Sequence, residues 1–349
     1  MRAIGERRSG LYIESMKAWL LEAAAPLAQR PLKLVDLPEP APGPGEILIQ
    51  ISYCGLCRTD IHVVQGEIDL PVLPIVPGHQ AVGHVVRCGE GAGRFELGDR
   101  VGVAWLNETC GSCPDCRRDD ENLCRNAHFT GYHRNGGFAE RMVIRDEFAY
   151  RLPEALDDAH AAPLLCAGII GYRALRQAEV SRDEKVGLYG FGSSAHLALQ
   201  VARARGNRVF VVTRGAKHRE LASRMGADWV GGPGDAPPEP LDRAVIFAPA
   251  GELIPQALEA TRWGGTVSSA AIHMSAIPEM DYTRHLFGER TLRSTTASTR
   301  RDGEEMMQAA EEAGIETEIT LFEFDQVNEG LLALAEDSIQ GSAVLRVRG

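Results

Sequence analysis

Lys185-Val186-Gly187-Leu188-Tyr189-Gly190-Phe191-Gly192-Ser193-Ser194-Ala195, running on into His196-Leu197-Ala198-Leu199-Gln200-Val201-Ala202, is the stretch on which the fold turns. Its first five residues read as a short buried strand, the next six as a Gly-x-Gly-x-x-Ala turn, and Ala195 to Arg205 as a helix. Small residues in such a turn let the backbone approach a pyrophosphate, and the helix N-terminus behind it faces the phosphate charge. A glycine pattern alone could be a bare tight turn. Between a strand and a helix it predicts a dinucleotide site formed by Gly190, Phe191, Gly192, Ser193, Ser194 and Ala195.

Outward from this stretch the alternation continues. Ala161 to Gln177 reads as helix, Arg208 to Val212 as strand, His218 to Met225 as helix, Ala244 to Phe247 as strand, Leu253 to Thr261 as helix and Thr266 to Ser269 as strand. Strands alternating with helices imply right-handed crossovers and a doubly wound parallel sheet of Rossmann type. The Pro/Gly/Asp-rich stretch from Gly231 to Pro240 reads as a surface connection within it. The first 150 residues differ in texture, with Gly and Pro between short β-like runs at Glu46 to Ser52, Ala81 to Val86 and Arg100 to Ala104. The end returns to helix at Glu304 to Ala313 and closes on Ala343 to Val347, a strand able to rejoin the β-rich part.

The chain's 349 residues exceed one comfortable core and predict an α/β protein of two domains. One is β-rich, residues 16–165 with 301–349, and the other is the dinucleotide-binding part, residues 166–300. Residues 1–15 read as a tail, because Met16 to Leu21 resembles the opening strand of the folded body. A net charge of −11 argues against nucleic acid or an acidic membrane as partner and favours a small molecule. With no apolar run long enough to span a bilayer and no signal-peptide core, the expected location is the cytoplasm. Eight cysteines there predict metal or catalysis before disulfides.

Four of them, Cys110, Cys113, Cys116 and Cys124, lie in a lobe spanning residues 105–125 with spacing tight enough for one loop to wrap a tetrahedral ion. Four sulfurs leave no open position, so a zinc ion here would be structural and would supply order that the charged flanks cannot. Four reduced thiols or an iron–sulfur cluster are the competing readings.

Of the other cysteines, Cys57 begins the run Cys57-Arg58-Thr59-Asp60-Ile61-His62, and 22 residues on stands Gly78-His79-Gln80. Taken in order, Gly55-Leu56-Cys57-Arg58-Thr59-Asp60-Ile61-His62, Gly78-His79, the four-cysteine lobe and Cys166-Ala167-Gly168 resemble the zinc-dependent alcohol dehydrogenases of the medium-chain dehydrogenase/reductase superfamily, from Met16 onward. The resemblance implies a GroES-like catalytic domain beside the Rossmann domain, with Cys57, His79 and Cys166 as ligands of a catalytic zinc. Two zinc ions per chain follow. Two thiolates and an imidazole leave one position open for Lewis-acid chemistry on an alcohol or aldehyde.

By the same resemblance Thr59 takes the alcohol proton, His62 forms the outer end of that relay and Asp60 orients the ligand histidine. Arg58 and Arg346 match residues that approach the pyrophosphate. Gln80 departs from the family, which usually has Glu after the ligand His, and puts in doubt any role needing a carboxylate there. At the end of the second strand, Thr213 stands where an Asp for the adenosine 2′-hydroxyl is expected, with Arg214 and His218 nearby. A hydroxyl beside an Arg binds a 2′-phosphate that a carboxylate would repel, so NADP(H) is preferred over NAD(H). Trp105, Leu106, Phe129 and Ile170 are candidate apolar liners of the substrate pocket. A polyol or other secondary-alcohol dehydrogenase, and a non-catalytic zinc- and cofactor-binding relative, remain the alternatives. The resemblance also implies a homodimer or homotetramer.

Overall fold

A computed structural model describes residues 15–348 of the chain. The expected tail falls outside these residues except for Ser15, which already belongs to the first strand. That strand, β1 (Ser15–Leu21), pairs antiparallel with β2 (Leu32–Pro38). Next come β3 (Glu46–Leu56), α1 (Arg58–Gln65), β4 (Ala81–Cys88), β5 (Arg100–Val103), β6 (Leu106–Glu108), α2 (Pro114–Arg117), β7 (His128–Phe129), β8 (Arg141–Arg145) and β9 (Ala149–Arg151). The middle of the chain contributes α3 (Asp158–Ala161), α4 (Ala167–Gln177), β10 (Lys185–Tyr189), α5 (Ser193–Ala204), β11 (Arg208–Val212), α6 (Ala216–Arg224), β12 (Trp229–Gly231), β13 (Leu241–Ile246), α7 (Leu253–Ala260), β14 (Thr261–Ser269), α8 (Tyr282–His285) and β15 (Thr291–Ser294). It ends with α9 (Arg300–Ala313), β16 (Ile319–Glu323), α10 (Val327–Ala335) and β17 (Ser342–Arg346).

Two sheets organise these elements. Six strands in the order β12-β11-β10-β13-β14-β15 are all parallel, and the order reverses direction at β10. The Gly loop after β10 therefore opens at the switch point, where helices diverge to the two faces and leave a crevice. Four of five residues in β10 and in β11 are buried, the near-continuous apolar run of a sheet covered on both faces. The second sheet, β16-β17-β3-β4-β5-β9 with β8 also on β3, is mixed. Its β17 pairs with β3, Leu345 opposite Cys54, so the C-terminal strand does rejoin the β-rich part.

One expected element breaks in two. Ala161 to Gln177 is not a single helix: Pro163 sits in a 3-10 turn, Ala162–Leu165, and Cys166 leaves helical backbone at φ −132°, ψ −68° before α4 begins. Small apolar residues on both sides of the break carry one periodic pattern, while Pro163 withholds an amide and the turn at Cys166 re-aims its sulfur. Gly231, expected in a surface connection, closes strand β12. A buried apolar cluster runs through α4, α5, β10 and α9 and takes in Val82 and Val344 of the β-rich sheet and Ala104 just past β5, so the two sheets share packing around α4. No helix among the described residues is long and apolar enough to cross a membrane.

Candidate active site and metal centre

Strand β3 ends at Leu56, and Cys57 is the N-cap of α1 in extended backbone, which holds its thiol outside the helix. Asp60, at the third position of that helix, accepts from the Cys57 amide at 2.8 Å through Oδ2. Its other oxygen, Oδ1, accepts from His79 Nδ1 at 2.9 Å and from the Gly78 amide at 3.2 Å. One buried carboxylate thus fixes two segments and the tautomer of His79, whose Nε2 keeps the free lone pair. Cys166, in the break before α4, brings its Sγ to 3.7 Å from Cys57 Sγ.

The ligating atoms of Cys57, His79 and Cys166 all lie within 4.8 Å of one another. His79 is 1% exposed and its Nε2 is buried with no protein partner. Such an orphaned atom costs about 1–3 kcal/mol unless something else satisfies it. The electrostatics point the same way. Burial alone would lower the His79 pKa, but the charge and hydrogen bond of Asp60 and the Cys57 sulfur outweigh it and hold the ring at about 10. The contact between the two thiols pulls Cys57 well below the ordinary range against the effect of burial, and the same contact together with burial drives Cys166 upward. Burial pushes Asp60 up against the pull of His79. The pocket is short of positive charge, and two sulfurs with one nitrogen and an open fourth direction fit zinc.

Around this centre the other expected residues fall as follows. Thr59 is buried, its Oγ1 3.7 Å from Cys57 Sγ. His62 lies one turn along α1, with Nδ1 2.5 Å from Glu67, a partner the sequence reading missed. Trp105 stands edge-on to the His79 ring at 5.0 Å and stacks on Phe129 at 5.1 Å, whereas Leu106 is in the core. Gln80 is buried, its carbonyl accepting from the Gly55 amide at 3.0 Å. Its side chain lies so close that a Cβ on Gly55 would meet it at 2.8 Å. Glycine is thus required beneath this neutral side chain.

In the lobe, sulfurs of Cys110, Cys113, Cys116 and Cys124 form the second group of ligating atoms within 4.8 Å. The Cys113 amide donates to Cys110 Sγ at 3.3 Å and the Cys116 amide to Cys113 Sγ at 3.4 Å. Backbone amides of Ser112 and Cys113 lower the Cys110 thiol to about 6, favouring the thiolate a metal needs.

At the nucleotide loop, Gly190 adopts φ +88°, which an L side chain rarely tolerates. A Cβ on Gly192 would meet no protein atom within 4 Å, and α5 starts there with no side-chain cap. The first amides of the helix are thus without a side-chain partner, the arrangement that suits an anion. Ser193 is held by the hydroxyl of Ser342, at the start of β17, at 2.5 Å, a contact sequence reasoning did not anticipate. Arg346 pairs with Glu323 at 3.1 Å, and Arg58 with Asp337 at 3.6 Å. Thr213 is buried at the end of β11, and Arg219 donates to the carbonyls of Thr213 and Arg214 at 3.2 and 2.7 Å. The Arg214 side chain is exposed and His218 half-buried.

A chain with this pair of sheets and two clusters of ligating side chains that fit zinc belongs to the zinc-type alcohol dehydrogenases of the medium-chain dehydrogenase/reductase superfamily. The alcohol dehydrogenase GroES-like domain family matches residues 43–154 and the zinc-binding dehydrogenase family residues 195–312. A probable alcohol dehydrogenase, AdhA, of Mycobacterium tuberculosis is 43% identical over 338 residues, covering 95% of this chain and 98% of its own. Among solved structures, a cinnamyl alcohol dehydrogenase of Sorghum bicolor superposes with a TM-score of 0.86 at 27% identity, over 95% of this chain and 98% of its own. A cobalt- and zinc-bound thermostable alcohol dehydrogenase of Pyrobaculum aerophilum does so with 0.85 at 26%, over 96% and 100%.

Proposed function

We propose that the chain is a zinc-dependent alcohol dehydrogenase and aldehyde reductase that prefers NADP(H), with residues 16–165 and 301–349 as catalytic domain and 166–300 as dinucleotide domain. The observation that carries this reading is the convergence of Cys57, His79 and Cys166 on the unpartnered Nε2 of His79. These three would hold the catalytic zinc, and Cys110, Cys113, Cys116 and Cys124 a structural one. When bound, the catalytic ion supplies Lewis acidity towards an alcohol or carbonyl oxygen. The dinucleotide carries the hydride.

The protein's own part is orientation and proton movement. Thr59 Oγ1, 3.7 Å from Cys57 Sγ, would accept a proton from an alcohol held at the open position and pass it outward. His62 receives it at the far end of the relay, its Nδ1 committed to Glu67 so that Nε2 is the exchanging atom. Thr59→Val removes the hydroxyl and keeps the volume. Turnover should fall by about 10²–10⁴-fold, the scale of one proton-transfer catalyst, with zinc content unchanged; a variant with full turnover would remove Thr59 from the relay.

Coenzyme preference rests on Thr213 and the exposed Arg214, with His218 nearby. Arg214→Ala should raise the KM for NADPH about tenfold, the loss of one charge-assisted contact of ~1.5 kcal/mol, and leave that for NADH nearly unchanged. Equal effects on both coenzymes would refute the 2′-phosphate assignment. A homodimer or homotetramer fits the edge position of β15 and the exposed side chains of Trp263, Tyr282 and Phe287 nearby in sequence. The test of the whole reading is oxidation of NADPH, and separately NADH, by a panel of aldehydes, with zinc measured per chain. Turnover with about two ions per chain is expected from the four-sulfur set and the open three-donor set; two ions with no turnover on any aldehyde or ketone would favour a non-catalytic relative.

A further inference from the structure

The third metal-binding residue stands apart from the other two. Cys57 and His79 are tied together by Asp60, whereas Cys166 hangs on the first residue before α4, with no side-chain cap of its own. What fixes its sulfur is whatever fixes α4. Two turns along that helix, Arg173, 6% exposed, donates to Asp302 Oδ2 at 2.6 Å, and Arg176 donates to Asp302 Oδ1 at 2.5 Å. Asp302 is wholly buried and lies 129 residues away in sequence from Arg173, in the first turn of α9. The same carboxylate accepts from the Thr299 amide at 2.9 Å and the Thr299 hydroxyl at 2.7 Å, which caps α9. Above the pair, Met306 of α9 is fully buried and would lie 3.2 Å from a Cβ on Gly168, two residues past Cys166.

The start of α9 is itself anchored. Arg300 grips Glu121 in a two-pronged pair, with Nη2 to Oε2 at 2.7 Å and Nε to both oxygens at 3.1 and 3.0 Å, and its amide also donates to Glu121 Oε1 at 2.8 Å. Glu121 sits three residues before Cys124 in the four-cysteine lobe. Asn122 adds a bond to the Thr296 carbonyl at 2.8 Å.

We infer that Asp302 is a positioning residue for Cys166: it holds α4 against α9, which Arg300 in turn ties to the four-cysteine lobe, so that the Cys166 sulfur meets the donors of Cys57 and His79. The inference rests on the reading of Cys57, His79 and Cys166 as one metal centre. Two charge-assisted contacts to a group without solvent are stiff, and a ligand displaced by even a few tenths of an ångström changes the metal's field. Loss of the carboxylate should therefore act on the catalytic centre without touching it.

The test is cobalt substitution of both centres, followed by thiolate-to-cobalt and d–d absorption, in the wild type and in Asp302→Asn. Asn keeps an acceptor for the α9 cap and loses the charge. Cobalt affinity at the three-donor centre should fall about 10–100-fold, the scale seen when an outer partner of a ligand is lost. Its bands should shift, while four-thiolate absorption from the lobe stays the same and kcat falls more than KM changes. Because Asp302→Asn leaves Arg173 buried and unpaired, the double variant Asp302→Asn with Arg173→Met is read if the single one does not fold. Arg176→Met, which keeps the buried pair, is read if neither folds and should shift the bands in the same direction by less. Unchanged bands and affinity in the folded variant overturn the inference. A wild type that takes cobalt only in the lobe would instead overturn the reading of the centre itself.

Discussion

Cys57→Ala and His79→Ala should each abolish turnover while leaving NADPH binding within about twofold of wild type. Either change leaves two donors for an ion that needs three protein ligands and one open position, so neither affinity nor geometry survives. The loss should exceed the about 10²–10³-fold that removal of a single charge-stabilising donor costs, because the whole Lewis-acid centre goes with it. Dinucleotide binding should be spared, because the Gly190–Ala195 loop follows β10 of the parallel sheet whereas Cys57 and His79 flank β3 and β4 of the mixed one. Zinc per chain should drop from about two to about one. Asp60→Asn provides the graded control: it can still bond the ring but loses the charge, and about 10–100-fold in metal affinity is expected. Full activity in the Cys57 or His79 variant would end the assignment, and loss of NADPH binding alongside turnover would point to a damaged fold.

Cys113→Ser is expected to act on stability first. The lobe is short of apolar surface and carries only the four-residue helix α2, the strand β6 and a 3-10 turn at Glu121–Leu123. Structural zinc in small peptides contributes roughly 10–16 kcal/mol, so removing one of four thiolates should cost several of these. The melting temperature should fall by on the order of 10 °C, and one zinc per chain should become removable by a chelator that leaves the wild-type lobe intact. The damage should also reach beyond the lobe, since Glu121 anchors Arg300 at the start of α9. Wild-type melting with two retained zinc ions would show that the four sulfurs do not order this segment.

The parts that could be read from sequence are those whose physics is local. Residues 185–195 carry strand, turn and helix in one stretch, and β10 and β11 have the bounds that pattern suggested. Cys110 to Cys124 are likewise confined to a span that one loop can close. The three-donor centre was a matter of resemblance, because nothing in the spacing of Cys57, His79 and Cys166 says that a mixed sheet and a broken helix will bring them together. Helix α1 went unseen because Cys57 occupies the position where Ser or Thr would announce a cap, although Asp60 three residues on was the other half of the signal. Helix α10 went unread, since Gly330 in its middle weakens the local helical signal that packing then overrides. Asp302 with Arg173 and Glu121 with Arg300 were beyond reach, since a charged pair separated by more than a hundred residues leaves no pattern in either neighbourhood.

Asp60 has a consequence for how the site comes into being. Its two oxygens bind the Cys57 amide on one side and the His79 ring and Gly78 amide on the other, so the conformational entropy of bringing these segments together is lost when residues 57–79 fold. An ion bound there would meet two donors tied to each other by Asp60 and a third, Cys166, held separately by the docking of α4. Affinity at such a centre is set less by the strength of two of its bonds than by the free energy with which α4 docks to supply the last.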